Sequence, residues 1–197
     1  LTQLDRWIRP ENQSAEEDVR ATPLPPVPAH GFLLGASTES ALLAASLDWH
    51  FVFAAHLNGD PELLREVVTA WRQHSVREVI VAVQAIVAPT QAEADALAQK
   101  VEVWGVELAN GQRVTVASEE QAYAFARQAG SKPVRIARRA QSLLAGTAAS
   151  VLEQLNALHQ QWGIEEFIID TPVADGATRV QSLRLLAEAR LNREVTV

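Results

Sequence analysis

Residues 79–88 constrain the fold of this chain more than any other segment. Every position except Gln84 is apolar, and most are β-branched. A strand without polar alternation has both faces covered, as in a parallel sheet flanked by helices. Parallel neighbours need long crossover connections, and the rest of the sequence supplies them as alternating short apolar runs and helical patterns. Residues 31–35, centred on Phe32, Leu33 and Leu34, form a short strand, and residues 39–47 follow as a helix of mostly small residues. Residues 51–55 form the second strand. Asp60 with Pro61 is a matched helix start, after which Leu64, Val67, Val68 and Trp71 recur at helical spacing. Beyond the third strand at 79–88, Thr90 and Glu93 form a capping-box pattern, with Ala94, Leu97, Val101 and Trp104 as the next apolar stripe. Residues 147–162 read as a long helix stopped by Gly163, residues 167–169 as the fourth strand, and 180–191 as the closing helix.

Two segments stand outside this rhythm. Residues 4–9 have the character of a helix end closed by Pro10, and the polar, then proline-rich residues up to 30 read as an extended connection. Residues 107–132 interrupt the alternation with the turn signal Asn110–Gly111 and a second capping pair, Ser118 and Gln121. The expected organisation is 1–30 as helix end and connection, then 31–197 as an α/β body with an excursion at about 105–145.

Composition excludes several classes of function. With 24 acidic against 17 basic residues the net charge is −7, which opposes general affinity for nucleic acids or anionic membranes. No cysteine is present, so disulfide scaffolds, thiolate metal sites and cysteine nucleophiles are ruled out. The five histidines lack metal-ligand spacing, and no metal site is expected. There is no Gly-x-Ser-x-Gly elbow to anchor a hydrolase triad. No apolar run reaches membrane-helix length and no signal-peptide pattern opens the chain, so the expected compartment is the cytoplasm. The chain begins at Leu1 and has no methionine, which reads as a trimmed N-terminus or as part of a longer protein.

In parallel α/β folds, ligands gather where strands run into helices. The turn Gly35, Ala36, Ser37, Thr38, Glu39, Ser40 occupies such a place. Its hydroxyls and the N–H groups of the following helix suit a phosphate, or Ser37 or Thr38 simply caps that helix. His56, at the end of the second strand, suits a ring ligand or a proton transfer, or is structural. Asp170, after the last strand, has a functional reading and a loop-capping one. Lys132, Arg135, Arg138 and Arg139 form a basic cluster, read either as a phosphate contact or as the solvated face of a helix.

The run from Phe32 through Gly35, Ser37 and Ser40 to Leu47, followed by Phe51, Val52, Phe53, Ala54, Ala55 and His56, resembles the bacterial luciferase-like flavin-dependent monooxygenases. Residues 81–90, Gly146–Thr147 before a long helix, residues 165–169 and the helix around 183–187 are similar to later units of that family. Five positions depart from its pattern. Asp48, Trp49 and His50 stand where glycine, leucine and proline are usual, Ala55 replaces a serine, and Leu57 replaces a phenylalanine.

The resemblance implies a (β/α)8 TIM-type barrel, of which this chain supplies about four βα units (strands 5–8) plus a helical excursion. It implies FMN at the C-terminal rim, with Gly35, Ala36, Ser37 and Ser40 at the flavin phosphate and His56 lining the flavin or substrate pocket. Reduced FMN would come from a reductase or from NAD(P)H, and dioxygen would be activated to oxidise a small organic substrate. Catalytic residues stay unassigned, because the family's reaction centre lies largely in the half not represented here. The alternative is a non-catalytic flavin-binding or oligomerisation module derived from the barrel. A half-barrel leaves sheet edges and an apolar face uncovered. Phe32, Leu34, Val83, Ala85 and Ile168 are candidates for that face, so a homo-oligomer or association with the missing N-terminal half is expected.

Overall fold

The computed structural model describes residues 1–9, 19, 21–23, 26–56, 60–139 and 142–194. In chain order these form α1 (Thr2–Ile8), β1 (Phe32–Gly35), α2 (Thr38–Ser46), β2 (His50–Ala54), α3 (Pro61–His74), β3 (Ile80–Val87), α4 (Gln91–Ala98), β4 (Trp104–Leu108), β5 (Arg113–Val116), α5 (Glu119–Gln128), β6 (Pro133–Arg138), β7 (Leu143–Gly146), α6 (Ala148–Trp162), β8 (Glu166–Asp170) and α7 (Gly176–Glu194). They divide into two compact units, Leu1–Ala82 with Trp162–Ile168, and Val83–Gln161 with Ile169–Val197. Pro10 and much of the proline-rich connection lie outside the described residues.

In the first unit, β1, β2 and the beginning of β3 are parallel. Leu34 lies opposite Val52 and Val52 opposite Ile80, while Leu33 meets Phe51 and Phe53 meets Val81. Side chains alternate across a strand, so Leu34, Val52 and Ile80 share one face, and Phe51, Phe53 and Val81 share the other. That second face packs toward the helices, with the Phe51 and Trp71 rings 5.6 Å apart. Helix α3 forms as its sequence suggests. Asp60 accepts from the Glu62 N–H, Pro61 opens the helix, and Leu64, Val67, Val68 and Trp71 are buried. The Trp71 indole donates to the Arg77 carbonyl at 2.6 Å.

The turn from α2 into β2 explains one departure from the family pattern. Asp48 has a φ of 54°, a left-handed conformation that favours glycine and tolerates Asp better than most residues. Its carboxylate is held by Arg77, with Nη2 donating at 3.0 Å to each oxygen. Trp49 then turns inward over Gly31, where a Cβ would run into the indole ring. The Trp49 indole N–H donates to Asp5 at 2.7 Å, and Arg9 donates to the same oxygen at 2.9 Å.

In the second unit, the end of β3 pairs in parallel with β7, Ala85 opposite Leu144 and Val87 opposite Gly146. The Val87 N–H donates to the buried Ser182 hydroxyl of α7 at 2.8 Å. Thr90 and Glu93 complete the capping box of α4. Asp175 starts α7 by accepting from both the N–H and the hydroxyl of Thr178 at 2.7 Å.

The structure corrects four expectations. The excursion is helical only in part: β5, β4 and β6 form an antiparallel three-stranded sheet, and α5, capped by Ser118, packs against it. Trp104 therefore belongs to a strand, and the stripe of α4 ends with the helix at Ala98. The basic residues Arg135 and Arg138 sit on strand β6 rather than on a helix face. Strand–helix pairs number five among the described residues (β1–α2, β2–α3, β3–α4, β7–α6, β8–α7) instead of about four. The additional strand, β7, is a four-residue apolar run, too short for periodicity to tell from the start of a helix. Of the candidate face residues, Phe32, Leu34 and Ile168 are 53%, 54% and 46% exposed, whereas Val83 and Ala85 are buried.

Candidate functional site

The turn from β1 into α2 is built by close approach. A Cβ on Gly35 would lie 2.5 Å from the Ser40 Cβ, so glycine lets the end of the strand pass beneath the first helical turn. Ser37 is the N-cap of α2, its Oγ accepting from the Ser40 N–H at 3.2 Å. The Ser37 and Ser40 hydroxyls lie 3.1 Å apart. Two hydroxyls carry two protons, and one is used between them, which leaves one free to donate outward. Among the first-turn N–H groups, that of Ser40 is taken by Ser37 Oγ and that of Ala41 by the Ser37 carbonyl. Those of Thr38 and Glu39 have no acceptor within the helix. Ala36 links strand to helix as a half-buried bend. The cap is therefore Ser37 rather than Thr38, and the capping role coexists with a concentration of donors.

His56 follows the end of β2. Gly35 and Phe53 are opposite one another in the parallel register, so Ser37 and His56 leave neighbouring strands at the same end. The His56 N–H donates to the Ala82 carbonyl at 3.2 Å, and ring Nδ1 lies 3.4 Å from the same oxygen. A carbonyl only accepts, so this contact favours the proton on Nδ1 and leaves Nε2 as the ring nitrogen without a partner among the described residues. Leu57, the next departure from the family pattern, lies outside the described residues.

Other candidates are distributed differently. Asp170 Oδ2 accepts from the Gln84 amide at 2.9 Å within the second unit. The adjoining Thr171 escaped the sequence reading. It is 5% exposed, and its hydroxyl has no partner among the described residues. Only burial marks it, and burial of a single threonine after a strand has no sequence signature. Among the described residues no cluster of acidic or histidine side chains could hold a metal ion, and no helix is long and apolar enough to cross a membrane.

No family model matches the chain. A curated relative, N-acetyl-S-alkylcysteine monooxygenase of Bacillus subtilis (strain 168), is 34% identical over 197 residues, covering 97% of this chain and 59% of the relative. The chain thus spans less than two thirds of that protein. Among solved structures, apo-MsnO8 superposes with a TM-score of 0.66 at 22% identity, covering 95% of this chain and 58% of that one. Monooxygenase RslO1 from Streptomyces bottropensis gives a TM-score of 0.55 at 15% identity, covering 96% and 57%. These two likenesses carry the fold, and the curated relative carries the descent. Over the stretch it spans, the chain is similar in sequence to N-acetyl-S-alkylcysteine monooxygenase and shares the fold of MsnO8 and RslO1.

Proposed function

We propose that this chain is the C-terminal part of a (β/α)8 barrel enzyme, an FMN-dependent monooxygenase, and that Gly35, Ala36, Ser37 and Ser40 hold the flavin phosphate. The observation that carries this reading is the turn at the end of β1. It combines an outward hydroxyl proton, two first-turn N–H groups without helical acceptors and a helix N-terminus, which together suit a dianion. A glycine at position 35 keeps the turn tight enough for one phosphate to reach both hydroxyls and backbone. His56, leaving the neighbouring strand at the same end, lines the flavin or substrate pocket with Nε2 available as acceptor. The bound flavin, once reduced by a reductase or NAD(P)H, supplies the electrons that activate dioxygen. This chain's residues anchor and orient it. The name of the curated relative makes N-acetyl-S-alkylcysteines the first substrates to assay.

The exposed apolar side chains of the first unit support a covering partner, either the remainder of the barrel or a second copy. Phe32, Leu34 and Ile168 are each about half exposed. Burying them fully would contribute about 1 kcal/mol apiece.

Titrating FMN and riboflavin into the protein tests the phosphate assignment. The double variant Ser37→Ala/Ser40→Ala removes both hydroxyls, and with them the proton left to donate outward. It should weaken FMN by about tenfold and leave riboflavin, which has no phosphate, unchanged. Equal losses for both ligands would overturn the assignment. Oxygen uptake with FMN and reduced nicotinamide separates the enzyme from a flavin-binding module without catalysis.

A further inference from the structure

The antiparallel sheet of the second unit has one greasy face and one charged face. Val106 and Leu108 pack with Ala122 and Ala126 of α5. The opposite face opens into a cavity of about 330 Å³. Register aligns Arg113, Glu107 and Arg135 in one row across β5, β4 and β6, with Thr115, Gly105 and Ala137 in the next. The small side chains of that second row leave a low floor between the arginines. Arg139, on the same parity just past β6, folds over this floor. A Cβ on Gly105 would lie 2.5 Å from its Nε, so glycine is what admits the guanidinium.

The charges do not balance locally. Glu107 neutralises Arg113 at 2.7 Å, and Glu102 faces Arg138 at 3.6 Å. Neither Arg135 nor Arg139 forms an ion pair among the described residues. In a chain of net charge −7, four arginines (Arg113, Arg135, Arg138 and Arg139) line this cavity against one carboxylate, Glu107. An excess of positive side chains over carboxylates around one cavity raises the local potential and attracts an anion. The planar fork of arginine matches the oxygens of a phosphate bidentately.

We propose that this cavity binds a phosphate-bearing small molecule, its dianion held between Arg135 and Arg139. The site is independent of the flavin reading and is tested with no flavin present. The probes are inorganic phosphate and phenyl phosphate, titrated calorimetrically at low ionic strength. The expected result is saturable one-site binding that weakens with added salt and falls by about tenfold in Arg135→Gln and in Arg139→Gln. Arg139→Lys, which keeps the charge but loses the bidentate fork, should fall between the parent and Arg139→Gln and guards against a folding artefact. Arg127→Gln, on α5 and outside the cavity, should bind as the parent does. Tighter binding of phenyl phosphate would identify an organic phosphate as the natural ligand, and equal binding the free ion. Absence of saturable binding at millimolar probe, unchanged affinity in both glutamine variants, or an equal loss in Arg127→Gln would each overturn the proposal.

Discussion

Asp48 shows what a single backbone dihedral demands. The family pattern has glycine at this position, and the φ of 54° gives the reason. A side chain there pushes Cβ toward the following carbonyl. Asp is tolerated because Arg77 grips its carboxylate from the connection between α3 and β3. Asp48→Ala removes that grip and keeps the steric cost, whereas Asp48→Gly removes both. The glycine variant should therefore be the more stable of the two by about 1 kcal/mol. Urea midpoints measure this, and coincident midpoints would contradict it. Ser37 and Ser40 show the limit of residue-scale reading. Their spacing of three makes a cap legible in the sequence. Whether a hydroxyl proton remains for a ligand depends on the 3.1 Å separation of the two oxygens, which spacing cannot supply.

At the scale of elements, α1 is a short helix with no buried residues, so it depends on a few polar ties. Arg9 reaches the Leu47 carbonyl at 2.9 Å, and Asp5 takes bonds from Trp49 and Arg9. Burial works to raise the Asp5 carboxyl, but the bonds from Trp49 and Arg9, with the charge of Arg9, outweigh it and hold the pKa below its ordinary value. A depressed carboxylate contributes its stabilisation in full above the ordinary pKa and loses it as pH falls through the folded-state value. Helix α1 should therefore stay docked through neutral pH and release in acid, below the ordinary aspartate range. The Trp49 indole N–H resonance, followed from about pH 5 down to pH 2, should shift in that window. Asp5→Asn should remove the transition, and a shift that persists in this variant would refute the assignment. The antiparallel sheet is the element least legible beforehand. Asn110 and Gly111 marked its hairpin turn, with Gly111 at a φ of 85°. Its strands are four to six residues long, and β6 mixes Arg with apolar residues, so a helix face and a strand edge read alike.

For the whole molecule, the first unit's uncovered side chains set the expected behaviour. Phe32 and Leu34 stand on the same face as Val52 and Ile80 yet remain about half exposed, and Ile168 is exposed to a similar degree. Such exposure favours association. Sedimentation equilibrium at low micromolar concentration should show species heavier than 21.5 kDa. A sharply melting monomer would argue against the half-barrel reading. The sequence alone determined the α/β class, the caps at Asp60 and Thr90, the parallel character of β3 and the placement of Ser37 and His56 after strands. All of these follow from local chemistry and periodicity, which act within a few residues. The tertiary structure decided the rest. It chose which parity of β1 and β3 faces helices, placed Arg135 and Arg138 on a strand, brought Arg139 over Gly105, and joined Asp5 to Trp49 across 44 positions. Those outcomes depend on register and on contacts between segments distant in sequence, and neither spacing nor composition encodes them locally.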